Sequence, residues 1–227
     1  YQKRSARFID NHDEQPSLAA FGRQKALAAG VVVSTIKGLR FYNDNQLDGV
    51  KLRVPTRQYA IRRMEFDHWL LKRAGVPTHQ HMVREIQQSV DGYTLDGAYH
   101  GQYLVGAGGT HCPVYRALFQ ASCPRHPSGL ILTQEQEFPY TYTDDRCHLW
   151  FFENGLPGYA WYVPKSGGYV NVGIGGKAEA LRARGDTIKA QWDHFTRRLE
   201  KLGLVRSFDY QPEGHAYYLR TPIPFPR

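Results

Sequence analysis

Leu156-Pro157-Gly158-Tyr159-Ala160-Trp161-Tyr162-Val163-Pro164-Lys165 runs through Ser166-Gly167-Gly168 into Tyr169-Val170-Asn171-Val172-Gly173-Ile174-Gly175. Alternation along the first part sets Tyr159, Trp161 and Val163 on one face and Ala160, Tyr162 and Pro164 on the other. Val170, Val172 and Ile174 make one face of the second part wholly apolar. Two strands, Gly158–Val163 and Tyr169–Ile174, joined by Lys165-Ser166-Gly167-Gly168, therefore read as a hairpin. Its aromatic rows have two readings. They line a cavity for a flat or greasy ligand, or they are the buried rings of a sheet core.

Outward from the hairpin, Glu137–Tyr142 and His148–Glu153 read as further strands, and Asp209–Leu219 as a returning one. After the hairpin, Ile188, Trp192, Phe195, Leu199 and Leu202 recur at helical spacing, with Asp186 as the expected N-cap and Gly203 beyond the end. Upstream, Ser17–Ala29 reads as a short helix after an irregular polar stretch, residues 1–15. Val31–Ile36 and Val50–Val54 read as strands, with turns at Asn43-Asp44-Asn45 and Asp48-Gly49. Met64–Ala74 reads as a helix that Gly75-Val76-Pro77 stops, with Phe66, Trp69, Leu70 and Ala74 on one face. Val83–Val90 and Tyr93–Tyr99 pair around Asp91-Gly92, and Gln102–Val105 reads as a short buried strand entering Gly106-Ala107-Gly108-Gly109. The last eight residues, three of them proline, read as a connector. Helices and strands so mixed, with an antiparallel sheet late in the chain, give an α+β (mixed α/β) fold.

The chain has 227 residues, enough for one large or two small domains. Its 41% hydrophobic and 13% aromatic content supports a real core. Lys and Arg exceed Asp and Glu, for a net charge of +8. Such a field attracts phosphates and anionic membrane surfaces, so peripheral membrane contact is an expectation. The basic residues are scattered and carry no nucleic-acid-binding motif, which argues against nucleic acid as the partner. No long apolar run spans a membrane. Cys112, Cys123 and Cys147 match no zinc spacing, so no metal site is expected, and they suit a reduced, cytoplasmic compartment. There is no Gly-x-Ser-x-Gly elbow for a serine hydrolase. The chain opens on Tyr1 and its methionines are Met64 and Met82, which reads as a piece of something longer.

The segment Leu156–Lys165 with Asn171-Val172-Gly173-Ile174-Gly175 resembles the signature of the geranylgeranyl reductase family, Pro-x-x-Tyr-x-Trp-x-Phe-Pro with a lysine and Asn-Val-Gly following. One residue separates Pro157 from Tyr159 and Val163 stands in place of the Phe, so the resemblance reaches the broader superfamily of flavin monooxygenases and halogenases. Arg63-Met64-Glu65-Phe66-Asp67, with Leu70, resembles that superfamily's Arg-x-x-Phe-Asp-x-x-Leu helix. Tyr103-Leu104-Val105-Gly106-Ala107-Gly108-Gly109-Thr110-His111-Cys112-Pro113-Val114-Tyr115-Arg116 resembles its Val-Gly-Ala-Asp-Gly strand and turn, with Gly108 in the aspartate position. The three stand in family order over about residues 57–176.

The resemblance implies an FAD-dependent oxidoreductase, with NAD(P)H or another reductant as electron donor. It implies a partial FAD-binding lobe, residues 1–116, and a mainly antiparallel substrate lobe covered by helices, residues 117–227. It puts Arg63, Gly106, Gly108 and Gly109 against the cofactor and Tyr159, Trp161 and Pro164 against the substrate. That substrate would be a small apolar or aromatic molecule, and the reaction reduction of an isoprenoid-like carbon–carbon double bond. Monooxygenation or halogenation is the enzymatic alternative, and a non-catalytic module binding a hydrophobic ligand is the alternative of another class. No side chain stands out as the catalytic acid. The family's Gly-x-Gly-x-x-Gly and Gly-Asp-Ala-rich segments do not occur in the chain, so this piece alone is expected to bind FAD poorly or not at all.

Overall fold

The computed structural model describes residues 33–36, 39–43, 50–52 and 58–219. The expected helix at 17–29, the stretch 1–15, the turns within 44–49 and the connector 220–227 lie outside the described residues. The fold is α+β, in two compact units.

One unit comprises the chain up to Val76 together with Leu132–His215. Strands β1 (Val33–Ile36) and β4 (Gln58–Ile61) form an antiparallel pair. β2 (Leu39–Asn43) and β3 (Val50–Leu52) join the main sheet with β8 (Leu130–Pro139), β9 (Cys147–Phe151), β10 (Gly158–Lys165), β11 (Tyr169–Lys177) and β12 (Glu213–Tyr218). The order is β12-β8-β11-β10-β9-β2-β3. β10 pairs antiparallel with both β11 and β9, and β2 lies parallel to β9. The hairpin forms as read, with Lys165 opposite Tyr169 and both Gly167 and Gly168 at positive φ in its loop.

Helix α1 (Arg63–Ala74) ends on Gly75, whose left-handed backbone lets its N–H bond the Lys72 carbonyl. It has no buried residue, and Leu70 is 42% exposed, so its apolar row is not the core-facing stripe that the spacing suggests. Helix α2 (Ala178–Ala183) is absent from the sequence reading, because at six residues it is too short for a hydrophobic stripe to repeat. Helix α3 (Ile188–Lys201) packs on β11. Its N-cap is Thr187, whose hydroxyl accepts from Ala190 N–H at 3.1 Å, and not Asp186. The Asp186 carboxylate is turned instead to Thr187 N–H and the Gln191 amide.

The sheet has a different core on each face. Tyr42, Trp150, Ala160, Tyr162, Val172 and Ile174 meet Trp192, Phe195 and Leu199 of α3. On the opposite face Leu39, Cys147, Trp161 and Val163 pack with Ala60 of β4. Two strands differ from the sequence reading. β8 begins well before Glu137 and stops at Pro139, whose missing N–H breaks the ladder. β12 is confined to Glu213–Tyr218.

The second unit comprises Pro77–Ile131 and the chain from Ala216. β5 (Ile86–Ser89), β6 (Gly92–Leu95) and β7 (Tyr99–Gly101) form an antiparallel meander, its first turn at Val90-Asp91. Asp96 ties its lead-in strand down by accepting from Arg84 and Glu85 N–H and from His81. Gln102–Val105 is not a strand: Tyr103 is 89% and Val105 84% exposed. Its short apolar run has no neighbouring strand to pair with among the described residues, so alternation alone could not make it one.

Candidate functional site

The indole of Trp161 decides the geometry of the open sheet face. Trp161 stands opposite Gly173 in the β10–β11 register. A Cβ on Gly173 would sit 2.1 Å from the ring, so only glycine lets the indole lie across β11. Its Nε1–H donates to Asn171 Oδ1 at 2.6 Å, which fixes the ring plane. The Asn-Val-Gly stretch thus has a physical account: the asparagine anchors the indole and the glycine makes room for it.

From Trp161 a row of rings crosses three strands. Tyr159 lies 5.6 Å from Trp161, Phe151 5.9 Å from Tyr159, and Phe41 6.0 Å from Phe151 in a stacked pair. Tyr159 is 44% exposed, so this ladder presents ring surface to whatever approaches. Flat apolar molecules are the natural partners of such a platform.

Beside the indole the same face turns polar. β8 points Thr133, Glu135 and Glu137 to it by strand alternation. Thr133 meets the space above Gly175, next to the Trp161 ring. The Lys165 ammonium is fully buried and donates to Glu137 Oε2 at 2.6 Å. Arg62, just ahead of α1, donates to Glu137 Oε1 at 2.7 Å and lies over the Tyr169 ring at 3.9 Å. Glu137 therefore carries two cations, and burial pulls the Lys165 pKa down against its pull.

Glu135 is the odd group out. It is 6% exposed, and its Oε2 has no hydrogen-bond partner among the described residues. Burial pushes its carboxyl up to about 7, opposed by Lys165 and Asn171 and helped by Glu137 and Glu213. His215 Nε2 stands 3.7 Å from its Oε1 and 3.9 Å from Glu213 Oε2. The sequence reading missed Glu135 because the run Gln134-Glu135-Gln136-Glu137 is polar on both faces and does not advertise a strand. The usable signal was the pair of glutamates two apart, which alternation puts on one face.

The structure brings Tyr159 and Trp161 together on this face. It puts Pro164 on the other, opposite Val170 in the helix-covered core. Arg63 opens α1, where its guanidinium donates to Asp67 Oδ1 at 2.6 Å. In the second unit, the glycine turn closes on itself. A Cβ on Gly106 would meet the Val114 side chain at 2.8 Å, and one on Gly108 the Cys112 backbone at 3.0 Å. Gly109 has φ +70°, and its carbonyl and that of Thr110 accept from Arg125. The turn leads through Gly109–His111 into a π-helical turn, Tyr115–Phe119, in place of a regular helix. Packing within the turn accounts for Gly106 and Gly108. Among the described residues no group of three His, Cys, Asp or Glu side chains gathers as a metal site.

The architecture has close counterparts among solved structures. A geranylgeranyl bacteriochlorophyll reductase-like protein from Thermoplasma acidophilum superposes with a TM-score of 0.59 at 19% identity, over 83% of this chain and 51% of that one. CmlS, a flavin-dependent halogenase, gives 0.59 at 16% identity over 93% and 43%. PqsL, a probable FAD-dependent monooxygenase from Pseudomonas aeruginosa, gives 0.53 at 16% identity over 87% and 59%. No protein-family model and no curated protein matches the chain. The chain thus spans about half the length of the solved structures it matches, and it has the fold that this part of a reductase-like protein, a halogenase and a monooxygenase shares.

Proposed function

We propose that the chain is part of an FAD-dependent oxidoreductase whose substrate, small and apolar or aromatic, lies on the Trp161 face. The observation that carries this reading is the ladder Phe41-Phe151-Tyr159-Trp161 running up to the buried Glu135 and the half-buried Glu137 on one sheet face. A flat ring fits that ladder, and hydride transfer asks for an apolar surface next to a proton source. When bound, FAD supplies the two-electron chemistry, drawn from NAD(P)H or another reductant. Tyr159 and Trp161 hold the reacting molecule against the sheet, and the buried ring of Trp161 keeps water off it. By resemblance, Arg63 and the turn at Gly106, Gly108 and Gly109 serve the cofactor. Within this reading, residues 1–116 serve chiefly the cofactor, with Phe41 joining the substrate ladder, and residues 117–227 serve the substrate.

The reaction we favour is reduction of a carbon–carbon double bond in an isoprenoid-like molecule. The halogenase and monooxygenase among the structural counterparts keep oxygen chemistry as the second reading. Among the described residues no helix is long and apolar enough to cross a membrane. A cytoplasmic protein that touches membrane surfaces to collect a lipid substrate is consistent with the net charge of +8. The test is anaerobic turnover of an isoprenoid alkene by the whole protein with reduced FAD. Saturated product without oxygen is the expected result, and strict dependence on oxygen sinks the reductase assignment. A flavin spectrum retained by the purified protein contradicts a purely ligand-binding module.

A further inference from the structure

We propose that Glu135 is the proton donor of the Trp161 face and that His215 returns the proton to it from solvent. The donor role rests on the reductase reading; the titration and its route rest on the structure alone.

The geometry comes first. Glu135 is more than nine-tenths buried, yet one of its carboxyl oxygens has no hydrogen-bond partner among the described residues. An orphaned buried oxygen is costly and is retained where something else uses it. Lys165, Glu137 and Arg62 are committed to one another. Lys165 is spent on Glu137 at 2.6 Å, Glu137 also holds Arg62 at 2.7 Å, and Arg62 holds Glu65 at 2.9 Å. Asn171 gives its Oδ1 to the Trp161 indole. Facing Glu135 are Lys165 from β10, Asn171 from β11, Glu137 on its own strand, and Glu213 and His215 from β12. Lys165, bonded to Glu137, only partly offsets the burial of Glu135, which holds a proton near neutral pH.

The second observation is a graded route outward. The side chain of Glu135 is 7% exposed, that of His215 31% and that of Glu213 52%. His215 Nε2 lies within 4 Å of both carboxylates, and that atom is buried with no hydrogen-bond partner among the described residues. An imidazole so placed can pass a proton from the solvent side to the buried carboxyl.

The chemistry balances. One carbon of the alkene would receive a hydride, with both electrons, from the two-electron chemistry that FAD would supply when bound. Glu135 gives its carboxyl proton to the other. The π bond and the Glu135 O–H bond would break and two C–H bonds form, the two electrons coming from the reduced cofactor. The Glu135 carboxylate then recovers its proton from His215, which draws one from solvent beside Glu213.

The test has two arms on the full chain. Infrared titration without any ligand reads the carboxylic-acid carbonyl stretch. A band that disappears as pH rises through about 7 and is missing in Glu135→Gln is expected; a spectrum unchanged by Glu135→Gln overturns the proposal. The second arm follows saturation of geranylgeraniol with reduced FAD. Wild-type turnover should fall as pH rises through the infrared midpoint. Glu135→Gln, which keeps the shape of the protonated acid, should turn over on the order of 10²–10⁴-fold more slowly with a flat pH profile. His215→Ala should keep the infrared midpoint near its place and slow turnover at least about tenfold, as expected of a lost proton shuttle. A Glu135→Gln protein within twofold of wild type overturns the proposal. A chain whose carboxyl titrates as expected but that saturates nothing fails the functional reading and removes the donor role with it, so the two failures are told apart.

Discussion

The two faces of the main sheet each bury a titratable group, and they treat it in opposite ways. On the helix-covered face, His148 is closed on all sides. Its Nδ1 lies 2.9 Å from the Tyr42 hydroxyl and its Nε2 3.1 Å from Asp144 Oδ2. Asp144, held at about 2 against the cost of burial chiefly by its Arg146 bonds, accepts only, so the Nε2 carries the hydrogen and Nδ1 accepts from Tyr42. Burial lowers the His148 pKa to about 4, despite Asp144. On the Trp161 face, Glu135 keeps a free oxygen and a route to solvent. A buried polar group whose every valence is met holds a core together. One that keeps a valence open is set up to exchange something.

The largest difference between the faces should appear on truncating a ring. Phe195 is 2% exposed and meets Trp150 edge-on at 5.2 Å, so Phe195→Ala should cost about 3–5 kcal/mol in urea unfolding. Its effect on the Trp161 face should be small, because the sheet stands between.

Next comes the pH dependence, where the faces oppose each other. Glu135 holds a proton up to about 7 against an ordinary 4.5, so its contribution is whole below 4.5 and is lost as pH rises through 7. His148 stays neutral down to about 4 against 6.5, so its contribution is whole above 6.5 and is lost as pH falls through 4. Each gap corresponds to roughly 3 kcal/mol, and between the two ranges the slopes nearly cancel. Glu135→Gln removes one of them. Its stability should then fall by roughly 3 kcal/mol between pH 6.5 and 4, where the wild-type protein is nearly level. Denaturant midpoints across that range check this, and parallel profiles would contradict the opposition of the two faces.

Gly173→Ala should cost about 1–3 kcal/mol, because the new methyl overlaps the indole and must expel it. Loss of the Trp161 near-ultraviolet circular dichroism would accompany it. The smallest effect on stability belongs to Tyr159→Ala, within about 0.5 kcal/mol for so exposed a side chain. That variant should instead weaken binding of an apolar fluorescent probe, which the Phe195→Ala protein would bind normally once folded.

Much of this was legible in the sequence where period and punctuation agreed. The hairpin was clear because alternating rings met a Ser-Gly-Gly loop, and α3 because Ile188, Trp192, Phe195 and Leu199 repeat at helical spacing. Its cap was misplaced by one residue because Asp186 and Thr187 are both good caps, and only the Ala190 bond distinguishes them. Gln102–Val105 failed for want of a neighbouring strand, a property of topology that no local pattern carries. The aromatic half of the site, Tyr159 and Trp161, was readable. Its polar half was not: Lys165 beside a loop reads as solvated, and Glu135 in a run of polar residues reads as surface. Only the fold sets β8 next to β11 and closes water off from both.

The most direct measurement of the contrast between the faces is a carbon-13 NMR titration of glutamate carboxyls and histidine rings in one sample. The account predicts a Glu135 midpoint near 7, with His148 neutral until about pH 4. A Glu135 midpoint in the ordinary glutamate range, or a His148 ring that gains its proton near 6.5, would contradict it.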